Sequence, residues 1–482
     1  MFRLPAQRAL PAALRRTASQ PHVQLRRLLS SSAARMEAKD VLPPPRPPPA
    51  GEYEPGAAGA ATVRELAENA RSLGSNVQPD FEVRLEELAA KPATAVSLKQ
   101  LWRVGHNPTP EQSLLNAQFL RRELSVRFAQ RAMQLSALPL GLSDHRAVQE
   151  AADIYRQITA LLLSSPSPRT FDQEEDFARI LRATKLNAMA IPTMIGRALT
   201  DLRQRRPLDP AGQRRVDQEL DNFFSSRIGH RFLIEHYIAS KEPREGFSGV
   251  IQARCSPVVV CEEAALAVAR DVRRLHGTCP HVSVIGDREH TFTYLPSHIY
   301  FIVNELLKNA CSATVRHMQR SGEPLSPGEL PPVRVIVARG EEDMTIKIED
   351  QGGGIARSKL GDVWSYKGSW SNLDTADEPE LRTPIVGGDA APLAKRGLGL
   401  PISRLYAKYF GGTLHLTPME GYGTDCYVKL NRLGDNCCEN LPPAVQQSPG
   451  ELDSGYRPDP AAGPVPRPKY VGLGLYDAQA KR

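Results

Sequence analysis

The pattern of apolar and polar residues divides the chain into a helical first part and a second part in which helices alternate with strands. From about residue 62 to residue 245, apolar side chains recur at steps of three and four residues, which indicates helices with one buried face. Residues 111–138 show this pattern clearly, with arginines opposite the apolar positions. Four long helices of this kind predict a bundle. One of them crosses Pro192, where we expect a kink.

The period changes near residue 246. Segments such as DMTIKIED (343–350) and DCYVKL (425–430) alternate apolar and polar residues and predict strands. Helical segments intervene at 261–277, 296–318 and 400–412. The predicted fold class is therefore α + α/β: an N-terminal four-helix bundle, followed by an α/β sandwich with helices on one face of a mixed sheet.

Composition divides the chain into five regions. Residues 1–35 contain seven arginines and no Asp, Glu or Lys, which is typical of a mitochondrial transit peptide, with a disordered basic arm as the alternative. Residues 36–61 are rich in Pro and Gly and are predicted to be a linker. The helical domain is predicted over 62–245 and the α/β domain over 246–435. Residues 436–482 are again rich in Pro and predict a disordered tail.

Charge and cysteine content exclude several functions. The seven arginines of the leader equal the formal net charge of +7, so the rest of the chain is nearly neutral and no nucleic acid partner is expected. No run of 18 apolar residues occurs, so we expect no membrane span. The seven cysteines form no CxxC pair, which argues against a disulfide framework and against a zinc site.

The first candidate site lies in NELLKNACSA, residues 304–313. Glu305 and Asn309 are four residues apart and so share one face of a helix. A carboxylate and an amide oxygen are the hard ligands that Mg²⁺ prefers while it bridges a protein to phosphates. The alternative is a solvated helix face on which Glu305 only pairs with Lys308.

The second candidate site is the strand end and glycine run IEDQGGGI. Asp350 ends the strand, and Gly352 and Gly354 follow it in a turn that allows close approach of a ligand to the backbone. A carboxylate at this place could accept a hydrogen bond from an exocyclic amine such as that of adenine. A plain glycine turn is the alternative.

Two more segments have residues suited to a nucleotide. Gly397, Leu398, Gly399 and Leu400 precede a helix whose first amides and dipole suit a phosphate. Thr424 lies at the start of a strand, where its hydroxyl could support the adenine contact. A lone GxG is weak evidence, so the prediction rests on the combination of segments.

The order ELLKNA, DQGGG, GLGLP and GTD resembles the nucleotide-binding domain shared by gyrase, Hsp90, histidine kinases and MutL-like ATPases. The Walker motif GxxxxGK[ST] is missing, as are the VAIK lysine and the HRD loop of ordinary protein kinases. From about residue 95 to residue 432, segments such as FFSSRIGHRFLIEHYIA resemble the mitochondrial pyruvate dehydrogenase kinases and their branched-chain 2-oxoacid dehydrogenase relatives. The segments SRLYAKYFGG and PMEGYGTD favour the pyruvate dehydrogenase side.

That resemblance implies a protein-serine kinase of the mitochondrial matrix that uses ATP and Mg²⁺. Glu305 would be the general base and Asn309 would hold the Mg²⁺, while Asp350 and Thr424 would bind adenine. The residues Gly352, Gly354, Gly397, Leu398, Gly399 and Leu400 would line the nucleotide. A histidine at the position of His236 lies near the active site in the family, although a lone helix histidine is more often structural.

The resemblance also implies partners. The helical domain would dock the lipoyl domain of the acyltransferase core of a 2-oxoacid dehydrogenase complex. A serine on the α subunit of the decarboxylase component would be phosphorylated and the complex inactivated. The alternatives are a branched-chain 2-oxoacid dehydrogenase kinase and a nucleotide-binding pseudokinase scaffold on the same complex. An autophosphorylating histidine kinase is a further alternative, but no H-[DE]-x-x-x-P helix precedes the domain.

Several positions depart from the family pattern. Ser312 and Arg316 replace an arginine and a glutamate, and Lys395 and Arg396 replace a glycine and an aromatic residue. Phe301 stands where animal members have a histidine. These changes spare the residues assigned to the base, Mg²⁺ and adenine, so we expect an active enzyme. An Asp-Trp pair near the C-terminus is missing, which leaves the oligomeric state open, with a homodimer as one alternative.

Overall fold

The computed structural model describes most of the two predicted domains. The described residues are 79–205, 208–321, 330–367, 383–385, 389–391, 397–431 and 437–442. The predicted leader (1–35) and linker (36–61) lie outside the described residues, as does most of the predicted tail. Among the described helices, none has the length and apolar character needed to cross a membrane.

Among the described residues, seven helices precede the first strand. They are α1 (Pro79–Ala89), α2 (Leu98–Gly105), α3 (Pro110–Ser136), α4 (Arg146–Ser164), α5 (Phe171–Asn187), α6 (Ile191–Arg205) and α7 (Pro210–Ser240). Side chains of Ser97, Thr109 and Asp209 accept hydrogen bonds from the first backbone amides of α2, α3 and α7, which explains where these helices begin. Helices α3, α4, α5 and α7 are long; α3 contacts the other three, α5 also contacts α7, and α6 packs against α4. The chain is thus helix-rich before residue 247, and the four-helix bundle stays a prediction.

The kink expected at Pro192 is instead a break between two helices. Helix α5 ends at Asn187 and α6 begins at Ile191, so Pro192 lies in the first turn of the second helix. A proline is tolerated there because the amide that it lacks has no partner within the helix in any case. The expectation of one kinked helix was wrong.

In the part of the chain that the structure describes, a five-stranded mixed sheet and three α-helices follow. The elements are β1 (Phe247–Ser248), β2 (Ile251–Cys255), α8 (Pro257–His276), β3 (Val282–Ile285), β4 (Phe292–Tyr294), α9 (Pro296–Ser321), β5 (Val333–Arg339), β6 (Asp343–Asp350), β7 (Thr383–Ile385), β8 (Asp389–Ala391), α10 (Gly399–Tyr409), β9 (Thr413–Met419) and β10 (Gly423–Asn431). The large sheet has the order β3-β5-β6-β10-β9, in which only β3 and β5 are parallel. Helices α8, α9 and α10 contact this sheet, and along β6 every second residue is buried. The mixed sheet with covering helices is confirmed.

A smaller sheet was not predicted. Strands β1, β2 and β4 pair antiparallel in the order β1-β2-β4. They have two, five and three residues, which is too short for alternation along the sequence to be recognised.

Helix α10 connects the two parts of the fold. It packs against α9 on one side and against α7 on the other. The ring of Phe410, directly after α10, contacts Phe232 of α7 edge to face with ring centroids 5.5 Å apart. Helix α10 therefore contacts both the helical part and the sheet part, next to α9.

Candidate functional site

Helix α9 is buried along the segment that contains the first candidate residues, with one exception. Every residue from Phe301 to Ser312 is buried except Asn309, which is exposed. Glu305 is 0% exposed, and the Nζ atom of Lys308 donates to its Oε1 atom at 2.5 Å. The ion pair considered from the sequence therefore exists, but it lies in the interior and not on a solvated face. Next to this ion pair on α9, the side chain of Asn309 is exposed to solvent.

The turn before α10 lies directly against Glu305. A Cβ atom at Gly399 would overlap Oε2 of Glu305, so only glycine lets the backbone approach the carboxylate this closely. Leu398 is fully buried at the N-cap of α10, and Leu400 in the first turn is half-buried. Gly397 has a φ of 69°, a conformation that favours glycine. The first amides of α10 thus lie next to the buried carboxylate.

Asp350 lies at the end of β6 and is 8% exposed. Its Oδ1 atom accepts a hydrogen bond from the backbone N–H of Gly352 at 2.8 Å. Burial raises the pKa of Asp350 to about 6, although hydrogen bonds from the Gly352 and Thr424 backbones act in the opposite direction. Thr424 is the residue opposite Asp350 in the pairing of β10 with β6, and it is also almost buried. The adenine candidates Asp350 and Thr424 are therefore neighbours.

The glycine turn after Asp350 packs on the same face of α9 as Glu305. A Cβ atom at Gly352 would come within 2.6 Å of the Ala313 Cβ atom, and one at Gly353 within 2.5 Å of the His317 ring. Ala313 and His317 follow Glu305 at steps of four residues, with Asn309 between. One face of α9 therefore contacts two glycine turns, and Asn309 lies between the two contacts.

The opposite side of this turn contacts the loop between β9 and β10. The backbone N–H of Gly353 donates to the carbonyl of Tyr422 at 3.1 Å, and the N–H of Gly421 donates to the carbonyl of Gly353 at 2.9 Å. A Cβ atom at Gly354 would overlap the carbonyl of Met419. The turn is therefore closely packed on both sides, which accounts for its glycines.

We call the space along this face of α9 the α9 cleft, defined by Glu305, Asn309, Asp350, Gly399 and Thr424. It places a buried carboxylate, an exposed amide and a helix N-terminus at one end and a second carboxylate at the other. This donor set fits a nucleotide with a divalent cation, because amides and helix N-termini bind phosphates and hard oxygens bind Mg²⁺.

His236 lies elsewhere. Its Nε2 atom is 3.0 Å from the carbonyl oxygen of Leu101 in α2, and a Cβ atom at Gly105 or Gly249 would collide with its ring. Burial lowers the pKa of His236 to about 4, so the ring is neutral at neutral pH. Its contacts are therefore with α2 and the β1–β2 turn, whereas Glu305 faces Gly399. A catalytic role for His236 stays a prediction, and these contacts do not support it.

Some departures from the family pattern can be placed. Phe301 is buried and its ring packs on Tyr406 of α10 with centroids 4.3 Å apart, so an aromatic contact takes the position of the family's histidine. Ser312 is buried and Arg316 is half-buried on α9. Lys395 and Arg396 lie outside the described residues.

Two residues of the cleft wall were missed in the sequence. Ala313 and His317 contact the first glycine turn, and their spacing of four and eight residues after Asn309 was available as a signal. That signal alone does not say which turn packs there, since the contact depends on how β6 ends.

Models of two protein families match the chain. Residues 95–252 match the family described as mitochondrial branched-chain alpha-ketoacid dehydrogenase kinase. Residues 294–433 match the family described as histidine kinase-, DNA gyrase B-, and HSP90-like ATPase. The second match includes every residue of the α9 cleft.

Relatives from three different organisms are named pyruvate dehydrogenase kinases. The mitochondrial [pyruvate dehydrogenase (acetyl-transferring)] kinase of Arabidopsis thaliana is 36% identical over 345 residues, which cover 71% of this chain and 92% of the relative. The corresponding kinase of Schizosaccharomyces pombe is 32% identical, with 77% and 99% covered. Isozyme 4 of Homo sapiens is 31% identical, with 74% and 86% covered. With this coverage and the cleft described above, the chain belongs to the family of mitochondrial pyruvate dehydrogenase kinases.

Proposed function

We propose that the protein is a mitochondrial, ATP-dependent protein-serine kinase that phosphorylates the α subunit of the pyruvate dehydrogenase decarboxylase and thereby inactivates the complex. The observation that supports this most directly is the arrangement in the α9 cleft. A fully buried Glu305 faces the Gly399 turn, and the exposed Asn309 lies one helical turn further along. A carboxylate, an amide and a helix N-terminus converge where a triphosphate would have to lie.

Each residue has a role that its position supports. Asn309 would hold the Mg²⁺ that neutralises phosphate charge, since its amide is the exposed polar group between the two glycine turns. The first amides of α10, from Gly399 onward, would bind phosphate oxygens. Glu305 would accept the proton of the substrate serine hydroxyl as general base. The carboxylate is kept in place by Lys308 on one side and by the Gly399 turn on the other.

The adenine would bind at the other end of the cleft. Asp350 would accept a hydrogen bond from the exocyclic amine, which requires the ionised carboxylate. Because the pKa of Asp350 is about 6, this group is mostly ionised at the neutral or slightly alkaline pH at which a matrix enzyme works. Thr424, its neighbour across the β6–β10 pair, would support the contact with its hydroxyl.

The helical part would form the bundle that docks the lipoyl domain of the acyltransferase core. An apolar pocket lies between α2, α3 and α7, and Leu101, Phe119 and Leu233 are among its lining residues. His236 also lines this pocket, which suits a role in shaping the docking surface better than a role in phosphoryl transfer.

Two observations bear on the choice between dehydrogenases. The family model that matches residues 95–252 is named after the branched-chain dehydrogenase, but the relatives from Arabidopsis thaliana and Schizosaccharomyces pombe are named pyruvate dehydrogenase kinases. These relatives match over 71% and 77% of the chain, whereas the branched-chain family model matches only residues 95–252, so we favour pyruvate dehydrogenase. The test is to incubate the full chain and Mg-ATP with each complex and to map phosphoserine on the decarboxylase α subunit.

The variant Glu305→Gln tests the proposed base. It keeps the size of the side chain and removes the proton acceptor, so phosphoryl transfer should fall by about 10² to 10⁴-fold while Mg-ATP binding is retained. Glu262→Gln is a matched control, because Glu262 pairs with Arg288 on the surface of α8. The control should transfer phosphate at the wild-type rate.

Three outcomes would contradict the proposal. Failure of the wild-type chain to retain Mg-ATP would exclude a kinase. Binding of ATP without transfer to either complex would favour the pseudokinase scaffold. Full transfer by Glu305→Gln would remove Glu305 from the mechanism.

A further inference from the structure

Helix α7 contacts the two chain segments that lead away from the glycine turns of the α9 cleft. Asp217 and Asp221 of α7, Trp364 and Tyr366 in the segment after β6, and Arg404 of α10 form one cluster, which we call the α7 junction. None of the five is among the residues that the sequence assigned to the nucleotide.

Tyr366 is the centre of the junction and is fully buried. Its hydroxyl donates to Oδ1 of Asp221 at 2.7 Å, and its backbone N–H donates to Oδ1 of Asp217 at 3.0 Å. Its ring stacks on Phe224 with centroids 5.7 Å apart. Both the main chain and the side chain of this residue are therefore bound to α7.

The α10 side of the junction is held by charge. The guanidinium of Arg404 lies over the ring of Trp364, 5.1 Å from its centroid. Burial raises the pKa of Asp221, and the Tyr366 hydroxyl together with the charges of Arg404 and Lys408 acts in the opposite direction. The acidic side of α7 thus attracts α10 as well as Tyr366.

These contacts connect α7 with the chain segments that follow the two glycine turns of the α9 cleft. The segment after Gly352 and Gly354 passes through the short 3₁₀ helix Arg357–Asp362 and reaches Tyr366. Helix α10 begins at Gly399, against Glu305, and Arg404 lies in the next turns of that helix. The junction therefore joins the segment behind one glycine turn to the helix behind the other.

We propose that Tyr366 is a positioning residue for ATP: through Asp221 and Asp217 it holds the DQGGG and GLGLP turns in the arrangement that binds the nucleotide. The inference rests on the proposed function, because it concerns the same nucleotide site. A residue of this kind affects binding of ATP more than the transfer step, since it contacts neither Glu305 nor the substrate serine.

The variant Tyr366→Phe tests the inference because it removes only the hydroxyl and keeps the ring on Phe224. In steady-state assays of the full chain with ATP varied, KM for ATP should rise by about tenfold or more, the range expected when one buried hydrogen bond to a carboxylate is lost. The value of kcat should stay within about twofold, because the base is unchanged. Direct titration with ADP and Mg²⁺ should show the same shift.

Two further variants separate positioning from general stability. Asp221→Asn keeps an acceptor for the hydroxyl and should leave KM for ATP near the wild-type value, whereas Asp221→Leu should reproduce the Tyr366→Phe shift. The double variant Tyr366→Phe with Asp221→Leu should bind ATP no more weakly than either single variant, since both remove the same bond. Tyr427→Phe is the matched control, because that hydroxyl donates to Asp425 at 3.2 Å outside the junction.

An unchanged KM for ATP in both Tyr366→Phe and Asp221→Leu would overturn the inference and leave the proposed kinase intact. A parallel loss of kcat and folded fraction with unchanged KM would also overturn it, because the junction would then only stabilise the fold. If Tyr366→Phe does not fold, the comparison of Asp221→Asn with Asp221→Leu decides. A wild-type chain that does not bind Mg-ATP would refute the proposed function itself, before any variant is compared.

Discussion

The contact between Gly399 and Glu305 gives the sharpest test of how the candidate base is held. Gly399 lies in the first turn of α10 and does not have a positive φ, so an alanine there fits the backbone. Its Cβ atom would nevertheless overlap Oε2 of Glu305. Glu305 is fully buried and paired with Lys308, so its carboxylate has little space into which it can move. The substitution Gly399→Ala therefore changes the position of the carboxylate without removing it.

The magnitude follows from the overlap. To regain an ordinary contact distance of about 3.5 Å, the carboxylate must move by about 1 Å. A displacement of this size in a catalytic group costs about 10²-fold in rate, which corresponds to about 2.7 kcal/mol in the activation barrier. The helix itself gains from the change, since alanine is favoured over glycine in helices by about 0.5 to 1 kcal/mol. Displacing a fully buried side chain costs about 1 to 3 kcal/mol, so the variant should be somewhat less stable than the wild type while its activity falls much further.

The assay compares phosphoryl transfer to the decarboxylase α subunit with thermal unfolding of the same preparations. Gly361→Ala is the control, because no atom lies within 4 Å of a Cβ atom at this exposed position. We expect kcat to fall about 100-fold in Gly399→Ala and to stay unchanged in Gly361→Ala, with both variants folded. Wild-type kcat in Gly399→Ala would show that Glu305 moves freely, and would refute the argument that the glycine turn holds the base.

Three further predictions concern other buried polar groups. Asp350→Asn should weaken ATP binding about tenfold in titration calorimetry. Because the folded-state pKa of Asp350 is raised from 3.8 to about 6, the wild type loses stability as pH rises from about 4 to 6. Denaturant unfolding at pH 4.5 and 7.5 should show the variant without this loss and more stable than the wild type by up to about 3 kcal/mol at pH 7.5. Glu439→Ala breaks the buried ion pair with Arg127 and should lower the free energy of unfolding by about 3 to 5 kcal/mol. Arg146→Ala breaks an ion pair whose arginine side chain is 90% exposed and should lower it by less than about 1 kcal/mol. Similar losses in both variants would contradict the burial argument. His236→Gln should keep transfer within about threefold, since its neutral ring bonds only the backbone at Leu101; a large fall in kcat at constant KM for ATP would favour the catalytic role.

Local patterns predicted the cleft residues because the relevant geometry is local. Residues four apart on a helix share a face whatever the rest of the chain does, so Glu305 and Asn309 could be paired from the sequence. The alternation in DMTIKIED showed where β6 ends and hence that Asp350 leaves the sheet. The break near Pro192 was misjudged as a kink, because a proline fits both inside a bent helix and in the first turn of a new one.

Contacts between distant segments could not be predicted in this way. The ion pair of Arg127 with Glu439 joins residues 312 positions apart, and the helical pattern over 111–138 that contains Arg127 does not indicate this partner. The place of His236 depends on α2 and the β1–β2 turn, which the helical period of α7 does not contain. The contacts of Tyr366 with Asp217 and Asp221 likewise arise only when the segment after β6 folds back on α7.

Apart from the break before Pro192, the sequence by itself determined the long helices, the strands of the large sheet and the set of residues suited to a nucleotide, because these follow from periodicity and from the chemistry of single side chains. Only the tertiary structure decided that Glu305 is buried against Gly399, that Asn309 is the exposed residue beside it, and that α7 is bound to the segments behind two glycine turns. Burial and contact are properties of segments that are brought together in space, and no period along one segment records which other segment will cover it.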